Sequence, residues 1–194
     1  MRQGLLLAFR VHAANFRRVP QITCRITMPD PAPLISSICQ SEATTATVAT
    51  HLARIAKPGD LLVLEGALAA GKTHFIKHMC CELQIGDTVT SPTFTLAHFY
   101  AGPIMPVLHI DTYRIETANE FLDLTLHDYF DDHLTAIEWG AKFQDILPPA
   151  LHIQIDLIDG DDNARLLTLA SNAPSWVARA DALRAAAESF TPCD

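Results

Sequence analysis

The segment that most constrains this chain runs from residue 66 to residue 73 and reads Gly-Ala-Leu-Ala-Ala-Gly-Lys-Thr. It matches the phosphate-binding-loop pattern G-x-x-x-x-G-K-[ST]. The apolar run Leu61–Glu65 before it is typical of a buried strand, and the apolar spacing after it, as far as Leu83, is typical of a helix. A strand, a glycine loop and a helix in this order present unpaired amides and the positive end of a helix dipole to a phosphate.

The loop therefore predicts a site for a nucleoside triphosphate such as ATP. We expect Lys72 to reach the terminal phosphates and the Thr73 hydroxyl to ligate Mg²⁺. The residues of the loop that we predict to contact the nucleotide are Gly66, Ala67, Leu68, Ala69, Ala70, Gly71, Lys72 and Thr73.

Length, charge and cysteine content narrow the protein class. The 194 residues suit one compact domain, and no apolar run is long enough to suggest a membrane span. The net charge of −8 argues against a broad nucleic-acid-binding face, which needs clustered lysines and arginines. The five cysteines lack metal-ligand spacing and indicate reduced thiols in a cytoplasmic protein, and the scattered histidines do not suggest structural zinc.

The two ends of the chain differ in composition from its middle. Residues 1–27 contain five arginines and no acidic residue, which suits either a transit peptide or a start site placed too early, with Met28 as the true initiator. We favour the second explanation and expect residues 1–34 to be a disordered leader. Residues 35–172 are then the ATPase domain, and residues 173–194 are a C-terminal helical extension that we expect to be peripheral.

Strands alternate with helices along the middle of the chain. Ser41 is a candidate cap for a helix that runs to Ile55, and Thr117 with Glu120 has the form of a capping box. Alternating residues at 151–157, a turn and a second strand at 164–169 predict a hairpin. The fold class predicted is α/β: a P-loop NTPase-like mixed sheet, parallel around the phosphate loop, with an antiparallel C-terminal hairpin and flanking helices.

Two of the predicted strands end in a carboxylate. Residues 107–111 end in Asp111, which we expect to hold Mg²⁺ near Thr73, and residues 134–138 end in Glu138. Glu138 could orient or deprotonate an attacking water, or contact the metal. The hydroxyl-rich loop 91–95 is either a switch loop that reaches the γ-phosphate or an ordinary turn.

Two further residues near these carboxylates have more than one interpretation. His109 shares a strand face with Asp111, and we expect it to be a hydrogen-bonded core residue more than a catalyst. Trp139 follows Glu138 and either stacks on a nucleotide base or packs in the core.

Three later motifs carry a family resemblance. The segments Ser91–Leu96, His109–Arg114 and Ile137–Trp139, in this order after the phosphate loop, resemble those of the bacterial TsaE (YjeE) family over about residues 35–170. That resemblance implies a small P-loop ATPase required for threonylcarbamoyl modification of adenosine 37 of tRNA. It also implies partner proteins, TsaD and TsaB, with tRNA reached only through the complex.

By the same resemblance, Lys72 and Thr73 hold phosphate and Mg²⁺, Asp111 serves the metal, and Glu138 with Trp139 belongs to the hydrolytic or nucleotide pocket. It implies Lys72 and Glu138 as catalytic residues, and it places Thr73, Asp111 and Glu138 around the metal. The resemblance also favours nucleotide contacts from the hydroxyl-rich loop 91–95, which we call the switch-like loop. The two residues of that loop that we assign to the nucleotide are Thr93 and Thr95.

The loop departs from the usual family sequence G-D-L-G-A-G-K-T at two positions, Ala67 and Ala69. Glycine suits positions with a positive φ or a close phosphate, so Ala69 bears directly on the loop's conformation. Two alternatives to the ATPase remain at this point. One is a small-molecule or nucleotide kinase, and the other is a nucleotide-binding adaptor without turnover.

Overall fold

The computed structural model describes residues 33–188, which form seven strands and five α-helices. The strands are β1 (Pro33–Cys39), β2 (Leu61–Glu65), β3 (Ala97–Tyr100), β4 (Val107–Asp111), β5 (Leu134–Glu138), β6 (Leu151–Ile158) and β7 (Asp161–Ala170). The helices are α1 (Glu42–Ile55), α2 (Lys72–Glu82), α3 (Ala118–Asp123), α4 (Pro174–Val177) and α5 (Ala180–Glu188). Two short 3₁₀ segments, Leu126–Tyr129 and Gly140–Phe143, flank β5.

All seven strands form one sheet in the order β1-β7-β6-β2-β5-β4-β3. The four central strands, β6, β2, β5 and β4, are parallel, whereas β3, β7 and β1 pair antiparallel with their neighbours. The predicted fold class is confirmed, including the antiparallel hairpin of β6 and β7. The carboxyl end of β2 passes directly into the phosphate loop, at the sheet edge where α/β proteins bind ligands.

Each face of the sheet is covered by its own apolar cluster. Leu62 and Leu64 of β2 point to the cluster that includes α1 and α2, and Leu61 and Val63 point to the cluster that includes Phe121 of α3. Because both faces of β2 are buried, this strand is an almost continuous apolar run, as central parallel strands are. The phosphate loop therefore leaves a strand that is packed on both sides.

The predicted helix starts agree with the structure. The Ser41 hydroxyl accepts the Thr44 amide at the start of α1. At α3 both bonds of a capping box form between Thr117 and Glu120. Both caps satisfy amides that a helix start leaves unpaired.

The ends of the described chain differ from the sequence-based boundaries. Strand β1 begins at Pro33, two residues inside the predicted leader, and it pairs with β7 along its length. The C-terminal segment is not peripheral, because Trp176 and Leu183 are buried in the cluster under α1 and α2. The helical extension that we expected from residue 173 contains two helices, α4 and α5. The rest of the predicted leader, residues 1–32, lies outside the described residues, as do residues 189–194.

None of the helices within residues 33–188 has the length and hydropathy needed to cross a membrane.

Candidate active site

The phosphate loop has two glycines at positions where a side chain would be costly. Gly66 has a φ of +140°, and a Cβ there would lie 2.2 Å from the carbonyl oxygen of Ile155. Gly71 has a φ of +111° and caps α2 without any side-chain hydrogen bond to the helix amides. The first amides of α2 are therefore not satisfied by a capping side chain, as a phosphate site at a helix N-terminus requires.

Ala69 adopts the left-handed conformation that its usual family residue, glycine, would adopt easily. Its φ is +62°, and it is the third residue of a turn closed by a 3.1 Å hydrogen bond from the Ala70 amide to the Ala67 carbonyl. A positive φ at this position of a turn favours glycine. The alanine is accommodated in the loop at a conformational cost.

Lys72 lies folded back over its own loop. Its ammonium donates to the carbonyls of Gly66 and Ala67 at 2.7 and 3.0 Å, and it lies 3.6 Å from the centre of the Trp139 ring. Burial lowers the pKa of Lys72, while the charges of Glu138, Glu65 and Asp111 oppose that shift. The ammonium is thus held against the loop by neutral carbonyl acceptors, which bind a cation more weakly than an anionic oxygen does.

The Asp111 carboxylate accepts hydrogen bonds from two hydroxyls of the switch-like loop. Its Oδ2 accepts the hydroxyls of Ser91 at 3.2 Å and Thr93 at 2.5 Å, and its Oδ1 accepts the Tyr113 amide at 2.9 Å. The Thr95 hydroxyl is placed elsewhere, in contact with His98 Nε2 at 2.9 Å. Of the two threonines that we assigned to the nucleotide, only Thr93 therefore lies against a carboxylate of the predicted metal site.

Glu138 joins the phosphate loop to the sheet. Strands β4 and β5 pair in parallel with Asp111 opposite Glu138, so the two carboxylates lie side by side at the carboxyl ends of their strands. The Oε1 atom of Glu138 accepts the Thr73 hydroxyl at 2.6 Å and contacts Nε2 of His109 at 2.9 Å. Thr73, Asp111 and Glu138 supply oxygen donors, the ligand type that Mg²⁺ prefers.

Trp139 is fixed by its backbone and exposes one ring face to Lys72. Its φ is +61°, and its amide donates to the Leu64 carbonyl at 2.9 Å. The Thr112 hydroxyl donates to the Trp139 carbonyl at 2.8 Å. The ring lies beside the phosphate loop, where it contacts the Lys72 ammonium and the Tyr113 ring.

Two residues of the site were missed in the sequence. Glu65, the last residue of β2, accepts the Ala141 amide at 2.7 Å, and burial raises its pKa against the opposing effects of that amide and of Lys72. Arg165 of β7 donates to the Ala70 carbonyl of the phosphate loop at 3.1 Å. Glu65 could have been noticed as a third strand-end carboxylate. Arg165 could not, because only the sheet order brings β7 near the loop.

A histidine pair on α2 was also overlooked. His74 and His78 have H-x-x-x-H spacing, and their Nε2 atoms lie 3.1 Å apart on the helix that follows the phosphate loop. Within residues 33–188, no group of three or more histidine, cysteine, aspartate or glutamate side chains is placed to hold a metal ion.

Comparison with known proteins identifies the family. The model of the family described as "Threonylcarbamoyl adenosine biosynthesis protein TsaE" matches residues 39–167, from the end of β1 into β7. This chain belongs to the TsaE family. The match covers the phosphate loop, both strand-end carboxylates and the switch-like loop, and it ends before α4 and α5.

Individual TsaE proteins support this assignment. The chain is similar to "tRNA threonylcarbamoyladenosine biosynthesis protein TsaE" of Bacillus subtilis, at 39% identity over 64% of this chain and 77% of that protein. It is also similar to the protein of the same name from Rickettsia felis, at 34% identity over 70% of this chain and 79% of that protein. The crystal structure of YdiB from Bacillus subtilis superposes with a TM-score of 0.62 at 28% identity, covering 78% of this chain and 95% of that one.

Proposed function

We propose that this TsaE-family protein is a Mg²⁺-dependent ATPase that serves threonylcarbamoyl modification of adenosine 37 in tRNA. One observation carries the proposal: Asp111 and Glu138 lie side by side at the strand ends, and Glu138 is bonded to the threonine that follows Lys72. A lysine, a hydroxyl and two carboxylates in this arrangement are the parts that phosphoryl transfer to water requires.

The position of each residue in the site indicates its role in ATP hydrolysis. Lys72 and the amides at the start of α2 bind the phosphates, and Trp139 and Thr93 lie beside them. Thr73 and Asp111 would hold Mg²⁺, which supplies charge neutralisation to the transferred phosphoryl group. Glu138 orients the attacking water and accepts its proton, so that ATP and water yield ADP and phosphate. The two glycines and Lys72 fit a bound triphosphate because no side chain caps the amides at the start of α2 by a hydrogen bond.

We further propose that this ATPase is the nucleotide-driven subunit of a cytoplasmic complex with TsaD and TsaB, which would bring the tRNA. The net charge of −8 suits a subunit that does not hold RNA itself. Leu68 of the phosphate loop and Phe94 of the switch-like loop are 77% and 88% exposed. Large apolar side chains exposed on both loops suit contact with a protein partner.

Phosphate release from ATP tests the activity. We expect hydrolysis that TsaD and TsaB stimulate, and loss of it in Lys72→Ala because the phosphates lose their cation. Lys77→Ala is the matched control, because Lys77 is exposed on the same helix and should leave the rate unchanged. Phosphoryl transfer to a small metabolite, without any effect of the partners, would instead identify a kinase, and binding without turnover would identify an adaptor.

Asp111→Ala tests the metal assignment in the same assay. We expect Mg²⁺-dependent turnover to be lost, because the variant removes a metal carboxylate and the acceptor of Ser91 and Thr93. Unchanged turnover would remove Asp111 from the metal site.

A further inference from the structure

His109 is a buried polar residue of the sheet, opposite His98 of β3 in the strand pairing. It lies in β4 between Val107 and Asp111, on the face that packs against α2, and it is fully buried. Its Nε2 lies 2.9 Å from Oε1 of Glu138. Its Nδ1 is buried and finds no hydrogen-bond partner among residues 33–188.

The neighbouring strand leaves room for the imidazole. In the parallel pairing of β4 and β5, the residue opposite His109 is Ala136, whose side chain is the smallest on this face of β5. The same pairing places Glu138 two residues further along β5, on the same face as Ala136. The ring can therefore extend across the alanine toward the carboxylate at the end of the strand.

The chemistry of the partner assigns the proton of the imidazole. A carboxylate only accepts hydrogen bonds, so the proton of this bond lies on Nε2 of His109. Oε1 of Glu138 thus accepts two donors, the Thr73 hydroxyl of α2 and the imidazole of β4. Within the described part of the chain no hydrogen bond reaches Oε2. The two bonds fix the rotation of the carboxyl group and leave Oε2 available to accept a hydrogen bond from the attacking water.

Packing alone does not explain a histidine here. A leucine could pack against Val107 and Ala136 on this face and would not bury an unpartnered ring nitrogen, which is costly. Residues that lower stability without a packing reason are expected at functional sites.

From these observations we propose that His109 is a positioning residue, which donates from Nε2 to Glu138 and holds its carboxylate oriented for the attacking water. The proposal rests on the hydrolytic role of Glu138 given above. His109 is fully buried and acts through its bond to Glu138. Among residues 33–188 the imidazole forms its one hydrogen bond with Glu138, whereas Thr73 would also hold the metal.

The hydrogen bond can be tested without any nucleotide. In the full-length protein with ¹⁵N-labelled histidine, long-range ¹H–¹⁵N correlation spectra distinguish the two tautomers. We expect His109 to carry a proton on Nε2 in a slowly exchanging signal, and that protection to be lost in Glu138→Ala. A ring with its proton on Nδ1 alone, or no change in Glu138→Ala, would overturn the proposal.

Variants test the consequence for catalysis. His109→Leu should lower kcat about 10- to 100-fold, as loss of a residue that orients a metal or catalytic group does, while nucleotide affinity stays unchanged and the thermal midpoint is equal or higher. His109→Gln keeps an N–H donor near the Nε2 position and should recover much of the lost rate. Thr135→Val is the matched control, because Thr135 also buries an unpartnered polar atom but lies on the opposite face of β5; its kcat should not change.

The outcomes separate this proposal from the proposed function. Full activity in His109→Leu, or a His109→Gln variant as slow as His109→Leu, would exclude the positioning role. Absence of turnover in the wild type with its partners would instead contradict the ATPase assignment, and the tautomer spectra would then decide the His109–Glu138 bond alone.

Discussion

At the scale of single residues, Ala69 shows how the phosphate loop tolerates a departure from its usual sequence. A non-glycine residue in the left-handed region costs about 1–2 kcal/mol of folding free energy. Replacing alanine by glycine removes this cost, but glycine also raises the entropy of the unfolded chain, which offsets part of the gain. We expect Ala69→Gly to raise the free energy of unfolding by about 0.5–1 kcal/mol. Urea denaturation measures this change, and calorimetric titration with ADP should show that nucleotide binding is retained.

The control for this variant is in the same turn. Ala67 has no positive φ, so Ala67→Gly adds chain entropy without relieving strain and should lower stability. Equal effects of the two substitutions would show that the conformation of Ala69 is not the source of the gain.

Cys80 and Cys81 are adjacent in sequence but differ in environment. Cys80 is buried and Cys81 is exposed, and burial raises the pKa of the Cys80 thiol to about 12 from an ordinary value of 9.0. Above pH 9 the unfolded chain loses this proton while the folded chain retains it. The Cys80 contribution to the free energy of unfolding is therefore fully present below pH 9 and is lost as the pH rises toward 12.

This difference predicts an alkaline loss of stability. At one pKa unit per 1.36 kcal/mol, the Cys80 contribution lost between pH 8 and pH 10.5 is about 2 kcal/mol. Denaturation of the wild type and of Cys80→Ala at both pH values measures this contribution, because the variant lacks the Cys80 thiol. The variant should lose about 2 kcal/mol less than the wild type over this range, and parallel losses would contradict the assignment.

At the scale of elements, the C-terminal helices are held by one buried ion pair. Arg179 donates to both oxygens of Asp60 at 2.6 and 2.7 Å and to the Ile55 carbonyl at 2.8 Å, and its guanidinium stacks on Trp176 at 3.8 Å. Asp60 is only 8% exposed. The pair links the α4–α5 segment to the connection between α1 and β2.

Removing the arginine leaves a buried carboxylate without its partner. We expect Arg179→Ala to lower the free energy of unfolding by about 3–5 kcal/mol, as breaking a buried pair does. Arg184→Ala is the control, because Arg184 pairs with the almost fully exposed Asp181 of the same helix; exposed pairs contribute about 0–1 kcal/mol. Chemical denaturation compares the two variants, and similar losses would show that the Asp60 pair does not anchor the segment.

Sequence reasoning could find the features whose interacting residues lie close together along the chain. The phosphate loop, Asp111 and Glu138 lie beside the strands that position them, so local patterns were sufficient to predict their places in the fold. The direction of Thr95 was not predictable, because it depends on His98 and on the exact course of the loop. The Arg179–Asp60 pair joins residues 119 positions apart, and β1 pairs with a strand more than 120 residues later. No local pattern contains such contacts.

At the scale of the whole molecule, the TsaE-family match and the folding unit do not coincide. The match ends at residue 167, yet Trp176 and Leu183 fill the core between the sheet and α1. Loss of one large buried side chain costs about 3–5 kcal/mol, and a domain has only about 5–15 kcal/mol in total. The C-terminal helices are therefore part of the domain's stability.

Two shortened chains test this conclusion. A chain that ends at Ala173 retains every residue of the family match but loses Trp176, Leu183 and the partner of Asp60. We expect it to be largely unfolded by circular dichroism and to show no cooperative thermal transition. A chain that begins at Met28 keeps all the described elements and should unfold at the same midpoint as the full-length protein. A folded chain ending at Ala173, or a destabilised chain beginning at Met28, would place the limits of the folding unit elsewhere.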